Sequence, residues 1–440
     1  RDEETETDSM VFAYNTSNGN LTKKTEFYGT DRELTTTYRN YDGYGNPRTT
    51  ATSGKMGPSL SVDSVETTLG YSTYGQFLIS KTGPLNHLET FDFDAGTGVL
   101  EAKTGVNRKE TSYEYGPFNR LKKTIHPDRI EELSALSWTD DDTEDKPTGA
   151  LYYKWTAISS SPPIKTFYDA VGRELRTVTI GFDDESIYVD TEYDSKGRMK
   201  RKSNPYFSTG TAYWNRTTYD SYGRTDSIIS ADTTITTYSY TNLTTTVTTK
   251  KGSTTTTTKQ TINALGETEE SEDNMNNKVY HSYYPDGKLK ESYVSTHTGQ
   301  KTEFTYDAQG NRTSIDDPDA GTINSLYDAF GQLLRQINAN DDTTTYQYDK
   351  LVRMTQLSDK RGDIKYGYVT DTTSAAFGLI DSVYLDDNSL QEIFEYDSDY
   401  GRLTTETRSF LNKSLENAYT YDWFGRPSTR TYPSDFEIQY

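Results

Sequence analysis

Nine aspartates in this chain stand where a carboxylate could act as an acid or a base. Asp42, Asp169, Asp194, Asp220, Asp307, Asp328, Asp349, Asp397 and Asp422 each follow a tyrosine: Tyr41, Tyr168, Tyr193, Tyr219, Tyr306, Tyr327, Tyr348, Tyr396 and Tyr421. Paired carboxylates about 5–10 Å apart, one with a raised pKa, carry out glycoside hydrolysis. That reading requires two of these residues to be special. Instead all nine share one local context, as "FYDAVGREL", "EYDSKGRM", "TYDAQGNR" and "TYDWFGRP" illustrate. A catalytic acid repeated nine times has no mechanistic use, whereas a turn cap repeated nine times does. An Asp side chain caps backbone N–H groups two residues on in an Asx-turn. Glycine follows at Gly45, Gly172, Gly197, Gly223, Gly310, Gly331 and Gly425, and one position later at Gly401. There it supplies a positive φ without steric cost. Arg173, Arg198, Arg224, Arg402 and Arg426 come next, placed to pair with an Asp or to stack on a neighbouring tyrosine.

Other chemistry is less well supported. His87, His126, His281 and His297 are far apart and show no HxxxH or HExxH spacing. The run "TDDDTEDK" offers Asp140, Asp141 and Asp142 as weak calcium ligands, but it lacks the glycine and terminal Glu of an EF-hand loop. It reads as a solvated acidic insertion near 139–148. "RGD" at 361–363 reads as a polar turn between strands, and the Asn-x-Ser/Thr matches at Asn215 and Asn311 follow from the abundance of threonine. No cofactor is expected.

The elements that position the aspartates are strands. Aromatics fall two apart in Phe304/Tyr306, Tyr346/Tyr348 and Tyr419/Tyr421, which places both rings on one face. Tyr numbers 37 against 16 Phe, and threonine runs such as "TTTITTYSYTNLTTTVTT" take the place of aliphatic core, so the chain reads as all-β. Weaker rungs at Tyr14, Tyr71, Phe93, Tyr115, Trp138, Tyr240, Ile262, Tyr284 and Tyr368 keep the same beat. Together they give about 18 registers at a mean spacing of about 24 residues. From Tyr219 to Tyr368 the steps tighten to about 20–22 residues. Each period is one β-hairpin plus a connecting turn, such as 316–321, 126–129 or 204–205.

Isolated hairpins are marginal in water, so the units must join into one antiparallel sheet. At two strands per repeat the ribbon is on the order of 170 Å wide. Adjacent strands rotate by about 20°, so such a ribbon must coil into a spiral shell or a large barrel. The expectation is one repeat array over 1–440, degenerate at 71–160 and 230–290. Unpaired sheet edges at both ends of the ribbon call for flanking repeats or plug domains.

The formal charge of −21 and the scattered basic residues argue against a nucleic-acid partner. With Cys 0, disulfides, thiolate metal sites and cysteine nucleophiles are excluded. No apolar run approaches the span of about 20 residues that crosses a membrane, so membrane insertion is not expected. Opening on "RDEETETD" without Met or signal peptide, the sequence reads as a segment of something longer.

The unit Tyr-Asp-x-x-Gly-Arg on this beat resembles the YD repeats of the Rhs family. That family includes bacterial polymorphic toxins, the B and C components of insecticidal toxin complexes, and the teneurins. The resemblance covers residues 10–440. It implies a non-enzymatic spiral β-shell of a secreted or cell-surface bacterial protein, enclosing a C-terminal toxin or effector. A secretion apparatus or surface glycans are further possible partners, and an adhesive scaffold is the alternative role. The paired aspartates at which such shells cut themselves have no convincing counterpart: Asp317-Pro318 sits in an ordinary inter-hairpin turn.

Overall fold

The computed structural model describes residues 9–28, 32–56, 60–159, 161–181, 183–387, 389–411 and 413–440. The charged opening run at 1–8 lies outside them. The 38 strands of the described residues form one antiparallel sheet. Three short 3-10 segments, Pro84–Asn86, Pro117–Asn119 and Ser295–His297, are the only helical pieces among the described residues. No helix there is long and apolar enough to cross a membrane.

Strand follows strand as a meander, each pairing with the next. Thr302–Tyr306, Arg312–Asp317, Gly321–Tyr327 and Leu333–Ile337 illustrate the run, and Gly321–Tyr327 pairs Asn324 with Ile337 and Leu326 with Arg335. One interruption falls at Ser186–Tyr193, whose C-terminal half pairs with Met199–Ser203 and whose N-terminal half pairs with Tyr206–Phe207. The expected connection at 204–205 is therefore the start of an excursion reaching residue 213.

Because a meander reverses at every strand, its turns alternate between two edges of the sheet. The Tyr-Asp turns line one edge, here termed the YD edge, and the connecting turns line the other.

Almost nothing is fully buried. The buried apolar residues are Ala51, Ala150, Phe167, Val178, Ala329 and Ala376. The chain exposes 27433 Å², against about 17,000 Å² for a compact monomer of this mass. That excess goes with the small number of buried side chains among the described residues. Cross-strand pairs take over the stabilising role of a core. Threonine hydroxyls meet across strands at Thr244/Thr261 (2.9 Å), Thr248/Thr257 (3.2 Å) and Thr420/Thr429 (2.7 Å). Rings stack at Phe77/Phe93 (4.9 Å) and Tyr152/Tyr168 (5.1 Å).

By compactness the chain divides into two units. One comprises residues 1–120, 124–130 and 304–440; the other comprises 121–123 and 131–303. The second holds a small apolar cluster, in which Ala150, Phe167 and Val178 are covered by Tyr153, Leu175 and Tyr188.

Within the first unit the early and late segments lie against each other edge to edge. Arg32, Gly54, His87, Asn107 and Arg129 on the connecting edge meet Asp307, Ala329, Phe377, Ala375 and Trp423 on the YD edge. The hydrogen-bonded partners stand 268 to 295 residues apart. A nearly constant separation means that the late segment follows the early one in the same direction.

Candidate functional site

Five of the Tyr-Asp turns are built the same way. At Asp194 one carboxylate oxygen accepts the N–H groups of Lys196 and Arg198, both at 2.9 Å, and the other accepts Nε of Arg198 at 2.8 Å. Asp169, Asp220, Asp349 and Asp422 repeat this arrangement with Arg173, Arg224, Arg353 and Arg426. The glycines Gly45, Gly172, Gly197, Gly223, Gly310, Gly331, Gly401 and Gly425 all have positive φ, from 71° to 89°. Where Val352 replaces glycine after Asp349, the valine is held at φ 67°. Asp397 caps a turn one residue longer, accepting Tyr400 N–H at 2.6 Å and Arg402 N–H at 3.0 Å.

The ionisation of these aspartates follows from their contacts. The Arg198 backbone N–H holds the Asp194 carboxyl below the usual range against a weaker opposing effect of burial, and the Arg198 side chain adds to it. At Asp169, Asp220, Asp349 and Asp422 burial is the largest single influence and pushes upward. The combined N–H groups and guanidinium outweigh it, and the pKa is lowered. A depressed pKa suits a cap and does not suit a general acid.

The tyrosines link one repeat to the next. Tyr193 donates its hydroxyl to the carbonyl of Glu174 (2.9 Å), Tyr219 to Met199 (2.8 Å), Tyr348 to Leu333 (3.0 Å), Tyr396 to Ile380 (2.8 Å) and Tyr421 to Leu403 (2.9 Å). Tyr41 reaches Leu21 in the same way. The accepting residue is the one paired with the preceding rung: Glu174 with Tyr168, Met199 with Tyr193, Leu333 with Tyr327. The register shifts at each of those rungs. A β-bulge disrupts the ladder locally, and the tyrosine supplies a donor to a carbonyl beside it. The guanidinium closes the link, because Arg173 lies over Tyr193 (4.7 Å), Arg198 over Tyr219 (4.3 Å), Arg224 over Tyr240 (4.2 Å) and Arg402 over Tyr421 (5.7 Å). Both roles expected of the arginines are present at once at Arg173, Arg198 and Arg224. The preference for Tyr over Phe is the sequence signal for the hydroxyl chain.

One rung is displaced from its expected position. Tyr283, not Tyr284, pairs at the bulge and donates to Thr268 (2.8 Å), while Tyr284 occupies the Asp position of the turn. Two adjacent tyrosines made the register ambiguous, and the glycine at 287 resolves it, four residues after Tyr283.

The remaining candidates do not assemble into a reactive centre. Among the described residues no three His, Asp or Glu side chains converge as a metal site. Asp140 accepts the Thr143 hydroxyl (2.6 Å), Asp141 extends into solvent 3.9 Å from Lys146, and Asp142 is exposed. The insertion is anchored through Asp145, which accepts the hydroxyl of Tyr188. His87 packs edge-on against Phe377 (4.8 Å), and the side chain of His297 lies outside the described residues. Asp317 caps the N–H groups of Asp319 (3.0 Å) and Ala320 (2.9 Å). Arg361 of the RGD run pairs with Asp359 (2.6 Å), and Asn311 is bonded to Asp307.

The RHS Repeat family model matches residues 283–322 and 327–364. Among curated protein sequences none matches the chain significantly. Solved structures share its fold. The crystal structure of TcdB2-TccC3-TEV aligns with a TM-score of 0.71 at 13% identity, covering 99% of this chain and 29% of that one. TcdB2-TccC3 without its hypervariable C-terminal region gives 0.59 at 12% identity over 99% of this chain and 31% of that one. TcdB2-TccC3 itself gives 0.58 at 12% identity over 96% and 34%. The chain thus spans about a third of the length of these proteins.

Proposed function

We propose that the chain, in which the RHS Repeat model matches residues 283–322 and 327–364, is a non-enzymatic wall segment of a larger secreted protein of the Rhs/YD-repeat family. The wall coils around, and shields, a C-terminal toxin or effector domain. The observation that carries this reading is the edge-to-edge contact within the first unit. A ribbon whose residues meet others about 280 positions further on, in the same order, has come back alongside itself.

Two further features support it. In Ile235–Thr241 the face that carries Tyr238 and Tyr240 is half-buried and the opposite face is exposed. In the proposed wall this ring-bearing face is the one turned toward the cargo. The Tyr-Asp carboxylates serve as turn caps, and the mechanism of the proposed wall is exclusion: paired strands separate cargo from solvent and protease. The likeness to TcdB2-TccC3, one form of which lacks a hypervariable C-terminal region, fits a wall built to accept different cargo.

Limited proteolysis of the full-length polypeptide tests the proposal. The domain after Tyr440 should resist digestion while the wall is folded and become sensitive once the wall is opened by denaturant. Digestion at the rate of the isolated domain would overturn it, as would a reading frame with no domain there.

A further inference from the structure

We propose that Tyr152 and Tyr168 form an oxidative cross-linking site, at which a one-electron oxidant of the peroxidase class joins the two rings as dityrosine. Trp138 is the ring through which the oxidant withdraws electrons. The inference is independent of what the wall encloses.

The three rings stand at the ends of three successive strands, Glu131–Trp138, Tyr152–Ile158 and Ser161–Tyr168. Trp138 is directly opposite Tyr152, and Tyr152 is directly opposite Tyr168. Trp138 meets Tyr152 edge-on at 6.1 Å, and Tyr152 stacks on Tyr168 at 5.1 Å with 15° between the ring planes. Alternation puts Tyr153 and Phe167 on the other face of the same two strands. There Phe167 is fully buried and Tyr153 packs on it at 5.5 Å. That packing fixes the register, so the stacked pair is held in place for coupling without a search for geometry.

The other close tyrosine pairs are less suited. Tyr188 and Tyr206 stand nearly perpendicular, at 83°, with Arg176 lying 4.1 Å over Tyr188. Tyr280 and Tyr293 are tilted by 31°, with Lys301 lying 4.9 Å over Tyr293. A cation against a ring opposes the loss of an electron from it. Neither Tyr152 nor Tyr168 has a cation over it among the described residues. Access is provided by Trp138, which is 79% exposed while both tyrosines are half-buried. With Cys 0, no thiol competes for the oxidant.

The oxidant takes one electron from Trp138. Tyr152 returns an electron to the indole and releases its phenolic proton to water. A second oxidation does the same at Tyr168. The two phenoxyl radicals pair their electrons in one bond between ortho carbons, and the displaced ortho hydrogens move to the oxygens, restoring both phenols. In all, two electrons and two protons leave the protein, and they convert one hydrogen peroxide to two waters.

Treating the chain with a haem peroxidase and limiting hydrogen peroxide, followed by peptide mapping, tests this. The product should be a monomer in which residues 152 and 168 are joined, in at least about ten-fold excess over cross-links at 188/206 and 280/293. Tyr168→Phe, with its circular dichroism unchanged, should abolish that product, and Tyr280→Phe should leave it intact. Trp138→Phe should slow its formation several-fold without moving the site. Cross-links spread evenly over the tyrosine pairs would overturn the proposal, as would a product that forms only between molecules and grows with concentration. The same 152/168 selectivity in urea-unfolded chain would also overturn it, because nearness in sequence and not the stacked geometry would then be the cause. An unchanged rate in Trp138→Phe would remove the indole from the route.

Discussion

A single hydroxyl separates Tyr348 from the phenylalanine that would fill the same rung, and it donates to the Leu333 carbonyl at 3.0 Å. Tyr348→Phe keeps the ring and leaves that acceptor short of a donor, so it should cost about 1–2 kcal/mol in urea denaturation. Four residues on, Val352 holds φ 67° where sister turns have glycine, and its side chain is mostly exposed. An L-residue in the left-handed region costs about 1–2 kcal/mol, and valine is poorly suited to it. Val352→Gly should therefore raise stability by up to about 1 kcal/mol, the glycine's extra freedom in the unfolded chain offsetting part of the gain. At Asp349, Asn should be tolerated better than Ala, because Asn263 and Asn338 already cap equivalent turns; the order of melting temperatures checks this. The cap and the glycine were legible because both act within five residues. The hydroxyl's acceptor was not, since it lies 15 residues back across a strand pair.

Strands and their order follow from alternation and turn chemistry, so the hairpin array was legible from the repeats alone. The edge-to-edge contact was not. Arg32 stands in "TDRELTT", outside any repeat motif, and only the folded chain brings it to Asp307. Arg32 and Asp307 are about nine-tenths buried at that contact. Removing one member of a buried ion pair leaves the other uncompensated, typically at about 3–5 kcal/mol. Arg32→Ala should show a loss of that size and expose residues 307–311 to hydrogen exchange, while the turn at Asp194 stays protected. Arg32→Met combined with Asp307→Asn should recover a substantial part of it, because neither partner is then left charged. A loss confined to early-segment amides, with 307–311 unchanged, would show that the two edges are not energetically joined.

With so little buried hydrocarbon, the molecule as a whole depends on polar links that titrate, and their pKa shifts set a pH window. Lowered carboxyls at Asp169, Asp194, Asp220, Asp349 and Asp422 favour the fold above the unfolded value of about 3.9. That contribution is lost as pH falls through the lower folded values. The rung tyrosines lie on the other side. Burial raises the hydroxyl pKa at Tyr193, Tyr348, Tyr368, Tyr396 and Tyr421, so their contribution is full below about 10 and disappears as pH rises through the folded values. Burial, and after it a hydrogen bond to an aspartate, push Tyr188 and Tyr206 up to about 12. Stability should be flat across neutral pH and fall at both extremes. The alkaline loss should be cooperative, because each tyrosinate deprives the carbonyl of the preceding repeat of its donor while the negative charge of the chain grows. Tyrosinate absorbance and circular dichroism followed through the same alkaline titration should change together above pH 10. Ionisation of most tyrosines near 10 with the β signal intact would show that the hydroxyl chain does not hold the ribbon.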